Sequence, residues 1–156
     1  MLKSELIFDT GRIFGFYEYV FKSDNVNYTK RRIVVPCSWK KKELEKYLWR
    51  NVKNAKISMG FSGKILCLTN DQELIKYDEE WDYSSDNFID RDWRDMGYYV
   101  GDAILELAGE IHEIEVECIA PNDMKEGELI KRIRKSTTYD LKIGRMEHFS
   151  ECWLKK

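Results

Sequence analysis

From His112 to Cys118 the chain alternates without a fault: His112, Ile114, Val116 and Cys118 lie on one side, Glu113, Glu115 and Glu117 on the other. A period of two is the period of a β-strand, and three carboxylates on one face keep that face wet while the other is covered. The chain must therefore build a sheet with a packed side, and other segments must supply the neighbouring strands. Residues 13–22 and 28–35 are rich in aromatic and β-branched residues and flank the turn-forming Ser23-Asp24-Asn25-Val26-Asn27, which predicts a β-hairpin. Ile13 to Tyr17 is apolar on both alternating faces, as suits a strand covered from both sides. Pro36 ends the second strand because it has no N–H for the ladder.

Helical spacing comes next. Ser38 is placed to cap a helix from Trp39 to Val52, whose buried stripe is Leu44, Tyr47, Leu48 and Val52. A second hairpin is expected from Lys56–Met59, through Gly60-Phe61-Ser62-Gly63, into Lys64–Leu68. Asn70-Asp71 caps a short helix through Tyr77, followed by an acidic, aromatic loop. Trp93, Met96, Val100, Ile104, Leu107 and Ala108 share one helical face, predicting a helix over 90–109 with Gly97 and Gly101 on its border and Gly109 as its stop. Pro121-Asn122-Asp123 forms a turn, 126–135 a short basic helix, and Tyr139–Ile143 a strand. No internal repeat and no linker-like tract is apparent, so residues 1–156 read as one domain, long enough to bury roughly 70% of its unfolded surface. Strands arriving as hairpins with helices between them predict the α+β class. A largely antiparallel sheet of about five to seven strands would be packed with two or three helices.

The N-terminus, Met1-Leu2-Lys3-Ser4-Glu5, has no secretory apolar stretch, and the most apolar window, Ile13–Phe21, is too short to cross a bilayer. Cys37, Cys67, Cys118 and Cys152 are scattered without a C-x-x-C pair and read as reduced, structural thiols. A cytoplasmic protein is expected on both counts. No glycine-rich phosphate loop is present, and no set of metal-ligand spacings, so the reading implies no cofactor and no metal.

Charge is where function shows. The net charge is only −2, yet residues 30–56 carry ten Lys or Arg, and residues 78–96 carry eight carboxylates. Such sorting predicts distinct electrostatic faces. In the acidic segment Tyr77–Trp93 the aromatic residues Trp81, Tyr83, Phe88 and Trp93 are interleaved with Asp78, Glu79, Glu80, Asp82, Asp86, Asp90 and Asp92. Rings supply contact area and carboxylates steer, a pattern suited to docking on a basic protein surface. The bland alternative is a loop whose rings fold back onto the core. A different surface arises on the first helix, where Lys42, Lys46, Arg50 and Lys53 project together beside Trp49. That face can grip phosphates or an acidic surface, or simply be solvated. The acidic pI of about 5.8 weighs against nucleic acid.

Three further patterns bear on catalysis. Glu113, Glu115 and Glu117 could hold a divalent cation or work as acid and base, but no second strand supplies a converging Asp or Lys, so a solvated strand face is the simpler reading. His112 falls on the apolar side of its strand and reads as a partly buried residue with one hydrogen-bond partner. His148 and Cys152 suggest a base and a nucleophile, without the further ligands a metal site needs. The expectation is binding rather than catalysis. A small cytosolic protein would bind, and inhibit or regulate, a basic partner such as a nuclease through its acidic-aromatic surface, in the mode of immunity proteins or phage-encoded inhibitors of host defence. Nucleic-acid binding by the basic helix face is the alternative, and a small metal-dependent hydrolase comes third.

Overall fold

A computed structural model describes residues 7–22, 28–51, 56–80 and 93–156. In chain order the elements are β1 (Arg12–Lys22), β2 (Tyr28–Val35), α1 (Lys41–Asn51), β3 (Lys56–Cys67), α2 (Asp71–Glu80), β4 (Trp93–Leu107), β5 (Glu110–Ala120), α3 (Glu126–Lys135) and β6 (Leu141–Lys155). Strand accounts for 56% of this structure, and the six strands close into a barrel in the order β1-β2-β6-β4-β5-β3. The expected α+β sheet packed with helices is thus corrected to a β-barrel with three short helices among the described residues. No helix among the described residues is long and apolar enough to cross a membrane.

Two misread segments account for the difference. Residues 93–107 form a strand of 15 residues, not a helix. From Met96 to Tyr99 every side chain is buried, because both faces of β4 are covered there. Double coverage erases the period of two, and the leftover apolar residues fall by chance at helical spacing. Ala108 and Gly109 end no helix. Both have positive φ, 51° and 83°, and make the two-residue turn of the β4–β5 hairpin. Gly60-Phe61-Ser62-Gly63 likewise makes no turn. β3 runs straight through it, and Gly60 is the extra residue of a bulge, since Glu18 pairs with Phe61 and Tyr19 with Met59. Two more bulges lie on β6, at Gly144 and Phe149, where its register against β4 slips. These bends let long strands curve into a closed wall.

The other elements follow the expected patterns more closely. The β1–β2 hairpin forms in register from Gly15↔Val35 to Lys22↔Tyr28. Helix α1 begins two residues later than expected, because Ser38 sits in a turn closed by the Trp39 N–H donating to the Pro36 carbonyl at 3.0 Å. At α2, the Glu73 N–H donates to Asn70 Oδ1 (2.8 Å) and the Asn70 N–H to Glu73 Oε1 (3.3 Å), a reciprocal capping box. The strand expected at 139–143 is the start of the much longer β6.

The barrel is built from two halves of matching topology, a structural repeat where the sequence showed none. Each half runs strand, strand, helix, strand: β1-β2-α1-β3 and β4-β5-α3-β6. In each, the last strand pairs with the first, and the halves join through two short parallel seams, Ile33↔Trp153 with Val34↔Leu154, and Leu66↔Cys118 with Cys67↔Ile119. Exchanging the halves maps one seam onto the other, residue for residue. Local sequence agrees once the register is known. Phe14-Gly15-Phe16-Tyr17 corresponds to Met96-Gly97-Tyr98-Tyr99, and the only two prolines, Pro36 and Pro121, occupy equivalent turns. The Leu44 N–H donates to the Lys40 carbonyl as the Leu129 N–H does to Lys125, and Met124 closes on Pro121 as Trp39 does on Pro36.

Packing shares the symmetry. Equivalent residues meet inside the barrel, where Phe16 stacks on Tyr98 with ring centroids 5.2 Å apart and 8° between planes. Val34 with Ile119, and Ile65 with Cys152, fill the same interior cluster, and Leu74 and Tyr77 of α2 join it. Leu44 and Leu48 of α1 bury in one cluster on the barrel, while Leu129 and Ile133 of α3 bury in another.

Candidate interaction surface

The expected acidic-aromatic site lies mostly outside the described residues: Trp81, Asp82, Tyr83, Asp86, Phe88 and Asp90 all fall there. Its edges are drawn into the fold. Asp78 takes Arg94 in a two-pronged bond, Nε at 2.9 Å and Nη2 at 2.8 Å. Tyr77 donates its hydroxyl to the Asp95 carbonyl at 2.6 Å, and Trp93 is fully buried. Glu79 is exposed on α2, which ends at Glu80. On α1, Lys42 and Lys46 face solvent opposite the buried Leu44 and Leu48, as the spacing requires. Trp49 and Arg50 lie on the same helix, and Lys53 lies outside the described residues.

An acidic surface is nevertheless on view, and it is built on the β5-β4-β6 side of the barrel. Residues directly opposite one another in a sheet project to the same face. Pairing sets Val100 between Glu117 and Glu147, Asp102 between Glu115 and Arg145, and Ile104 between Glu113 and Lys142, with Glu106 opposite Ile111. Carboxylates therefore outnumber the two cations heavily across three strands, and Asp102 faces Glu115 squarely. Like charges in that position repel, so the sheet carries the pair at a cost in stability. Set among the charges are apolar groups open to water: Ile104 at 46% exposure, Ile111 at 71% and Phe149 at 63%.

Phe149 is held, not loose. It is the extra residue of a bulge, and the Arg32 guanidinium lies 5.1 Å from its ring centroid and 5.2 Å from that of Tyr98. Arg32 is fixed in turn by Glu18 at 3.2 Å and by donation to Ser150 Oγ at 2.9 Å. Tyr98 meets Phe149 edge-on at 5.7 Å and donates its hydroxyl to Glu117 Oε1 at 2.9 Å. Burial, followed by the Glu117 charge, pushes the Tyr98 hydroxyl far above its ordinary range, so it stays a donor at any physiological pH. Beside Phe149, a depression of about 210 Å³ is lined by Val100, Gly101, Asp102, Arg145, Glu147 and His148.

The catalytic candidates do not assemble. Glu113 and Glu115 are exposed, while Glu117 is engaged with Tyr98. Among the described residues, no group of three or more His, Cys, Asp or Glu could hold a metal ion. His148 shares a hydrogen bond of 2.9 Å with Asn122 and meets Tyr99 edge-on at 5.2 Å. Cys152 lies inside the barrel, and burial pushes its thiol well above the ordinary range, which leaves no thiolate for nucleophilic attack. His112 is partly buried, 3.7 Å from Glu110, as its parity suggested. Cys67, Cys118 and Cys152 are free and buried, and Cys37 is free and exposed.

The sequence missed Asp102, Ile104, Glu106 and Phe149. For the first three the signal was present in the alternation from Val100 to Leu107, but reading the segment as a helix scattered them around a cylinder, while Phe149 takes its place from a bulge that only the register shows. Comparison with family models, with curated proteins and with solved structures finds no match to this chain.

Proposed function

We propose that this is a binding protein without catalysis of its own, which docks a basic protein partner on the β5-β4-β6 face and regulates it by covering the docked surface. The notion of a cytosolic inhibitor of a nuclease-like enzyme is kept, with the docking surface moved from the 78–90 segment to the sheet. One observation carries the reading: Asp102 and Glu115 are held opposite each other amid exposed Ile104, Ile111 and Phe149. Six carboxylates stand on this face against Arg145 and Lys142, with bulky apolar groups left open among them, a bias of sign and an apolar exposure that solubility alone does not require. The clamped Phe149 adds an aromatic anchor that loses little rotamer freedom on binding. Free, buried cysteines support a reducing compartment such as the cytoplasm.

Glu115→Lys separates function from stability. It turns a repelling cross-strand pair into an attracting one, so the fold gains about 0.2–1 kcal/mol and the melting temperature rises. The same substitution abolishes capture of a basic partner from native lysate, and Phe149→Ala weakens capture without changing the charge. If Glu115→Lys retains the partner, or if it lowers the melting temperature, the reading is wrong.

A further inference from the structure

Strand β5 is joined to the first half of the barrel only at its end. Among the described residues it meets β3 at Cys118 and Ile119 alone, so from Glu110 to Val116 it has β4 on one side and no strand on the other. Parity fixes which main-chain groups stand at that open edge. The two-residue turn at Ala108-Gly109 is closed by the pair Leu107↔Glu110, which exchanges both of its hydrogen bonds, and bonded and non-bonded pairs alternate from there. The pairs Glu106↔Ile111, Ile104↔Glu113 and Asp102↔Glu115 are the non-bonded ones, so Ile111, Glu113 and Glu115 turn N–H and C=O away from β4. The seam agrees. Ile119, of the same parity, receives the Leu68 N–H on its carbonyl at 3.0 Å from the β3 side.

Main chain and side chain at this edge call for the same occupant. A row of unpaired N–H and C=O groups is a template for another strand. The three residues that offer those groups also send their side chains to the acidic face. Glu113 and Glu115 are exposed and have no ion-pair partner among the described residues, and Ile111 is the most open of the apolar groups there. Residues directly opposite one another project to the same face, so an added strand with a cation at every second position sets each one against a glutamate, at the strand's own spacing of about 6.5–7 Å. The same glutamates repel an acidic strand and gain nothing from an apolar one. Charge thus selects what the edge accepts.

We propose that an extended, basic segment of the partner adds to the open edge of β5 as a further strand, with Lys or Arg at alternate positions over Glu113 and Glu115. This rests on the docking face proposed above and names how the partner enters it. Main-chain bonds to Ile111, Glu113 and Glu115 hold the segment, and the carboxylates fix its register and its sign. Asp102, opposite Glu115, then lies one strand inward from the incoming cation, and the repulsion between the two carboxylates is relieved on binding.

Amide hydrogen exchange followed by nuclear magnetic resonance tests this, with a capped peptide alternating lysine and valine as the probe. In the free protein the Ile111, Glu113 and Glu115 amides should exchange at least about tenfold faster than those of His112 and Ile114, and the peptide should protect all three. Glu113→Gln and Glu115→Gln should each weaken the peptide by up to about fivefold. Methylating one alternate set of the peptide's backbone nitrogens should abolish binding, and methylating the other set should spare it. Equally slow exchange at Ile111, Glu113 and Glu115 in the free protein would mean the edge is already paired, and overturns the proposal. So does a peptide that fails to bind, that binds without protecting these amides, or that binds equally well with either set methylated. Self-association in sedimentation that Glu115→Gln reverses would make a second copy the occupant, and overturns it too. If the peptide fails while Glu115→Lys still abolishes capture, the partner docks a folded basic surface, so this inference falls and the docking role stands.

Discussion

Gly101 is buried in β4 opposite Met146, in the in-register stretch between the two bulges of β6. A Cβ built there would lie 2.3 Å from Met146 Sδ and closer still to the Arg145 carbonyl oxygen. Backbone cannot move aside as a flexible side chain can, so Gly101→Ala should destabilise the fold by about 1–3 kcal/mol. Ala108 has the opposite problem. Its φ of 51° places Cβ against the following carbonyl, and Gly109 beside it already shows the residue that the turn prefers. Ala108→Gly should therefore stabilise by about 0.5–1 kcal/mol. Denaturant midpoints check both. A neutral Gly101→Ala would mean the two strands do not approach as described, and a destabilising Ala108→Gly would mean the turn is not left-handed. Both residues look ordinary in sequence, because only the partner strand or the turn type gives them their meaning.

Helices α1 and α3 do the same work on equivalent halves of the barrel, and their buried leucines occupy matching positions. Leu44→Ala and Leu129→Ala should each cost about 2–5 kcal/mol, read as a shift in the urea midpoint with little change in slope. A silent substitution at either site would show that helix to be an ornament on the barrel. Of the elements, the first hairpin, the short helices and the β5 strand were legible because each carries a local signal: turn residues, caps, or strict alternation. The β4 strand was not legible. With both faces covered from Met96 to Tyr99, its pattern is set by the interior cluster on one side and α3 on the other, neither visible from within the segment. The matching of the halves stayed hidden for a related reason. Gly15 matches Gly97 and Pro36 matches Pro121, but the rings, cations and acids between them differ, and only register aligns the halves. The acidic face went unseen with β4, since half of it belongs to that strand.

As a whole, the molecule keeps a shared framework and distributes charge unevenly upon it. Cations gather on α1, and carboxylates gather on the β5-β4-β6 face. The small net charge conceals this because the two populations nearly cancel. Complementary potentials act chiefly on the rate of encounter, so association with a basic partner should slow as salt rises, while the contacts of Phe149 and Ile104 govern how long the complex lasts. The most direct test of where the partner sits is photo-crosslinking from single positions, comparing a photoreactive residue at Ile104 with one at Glu79 on α2 and one at Lys46 on α1. The account predicts a covalent adduct with a basic protein from position 104 and none from position 46. Adducts from 46 or 79 with none from 104 would contradict it.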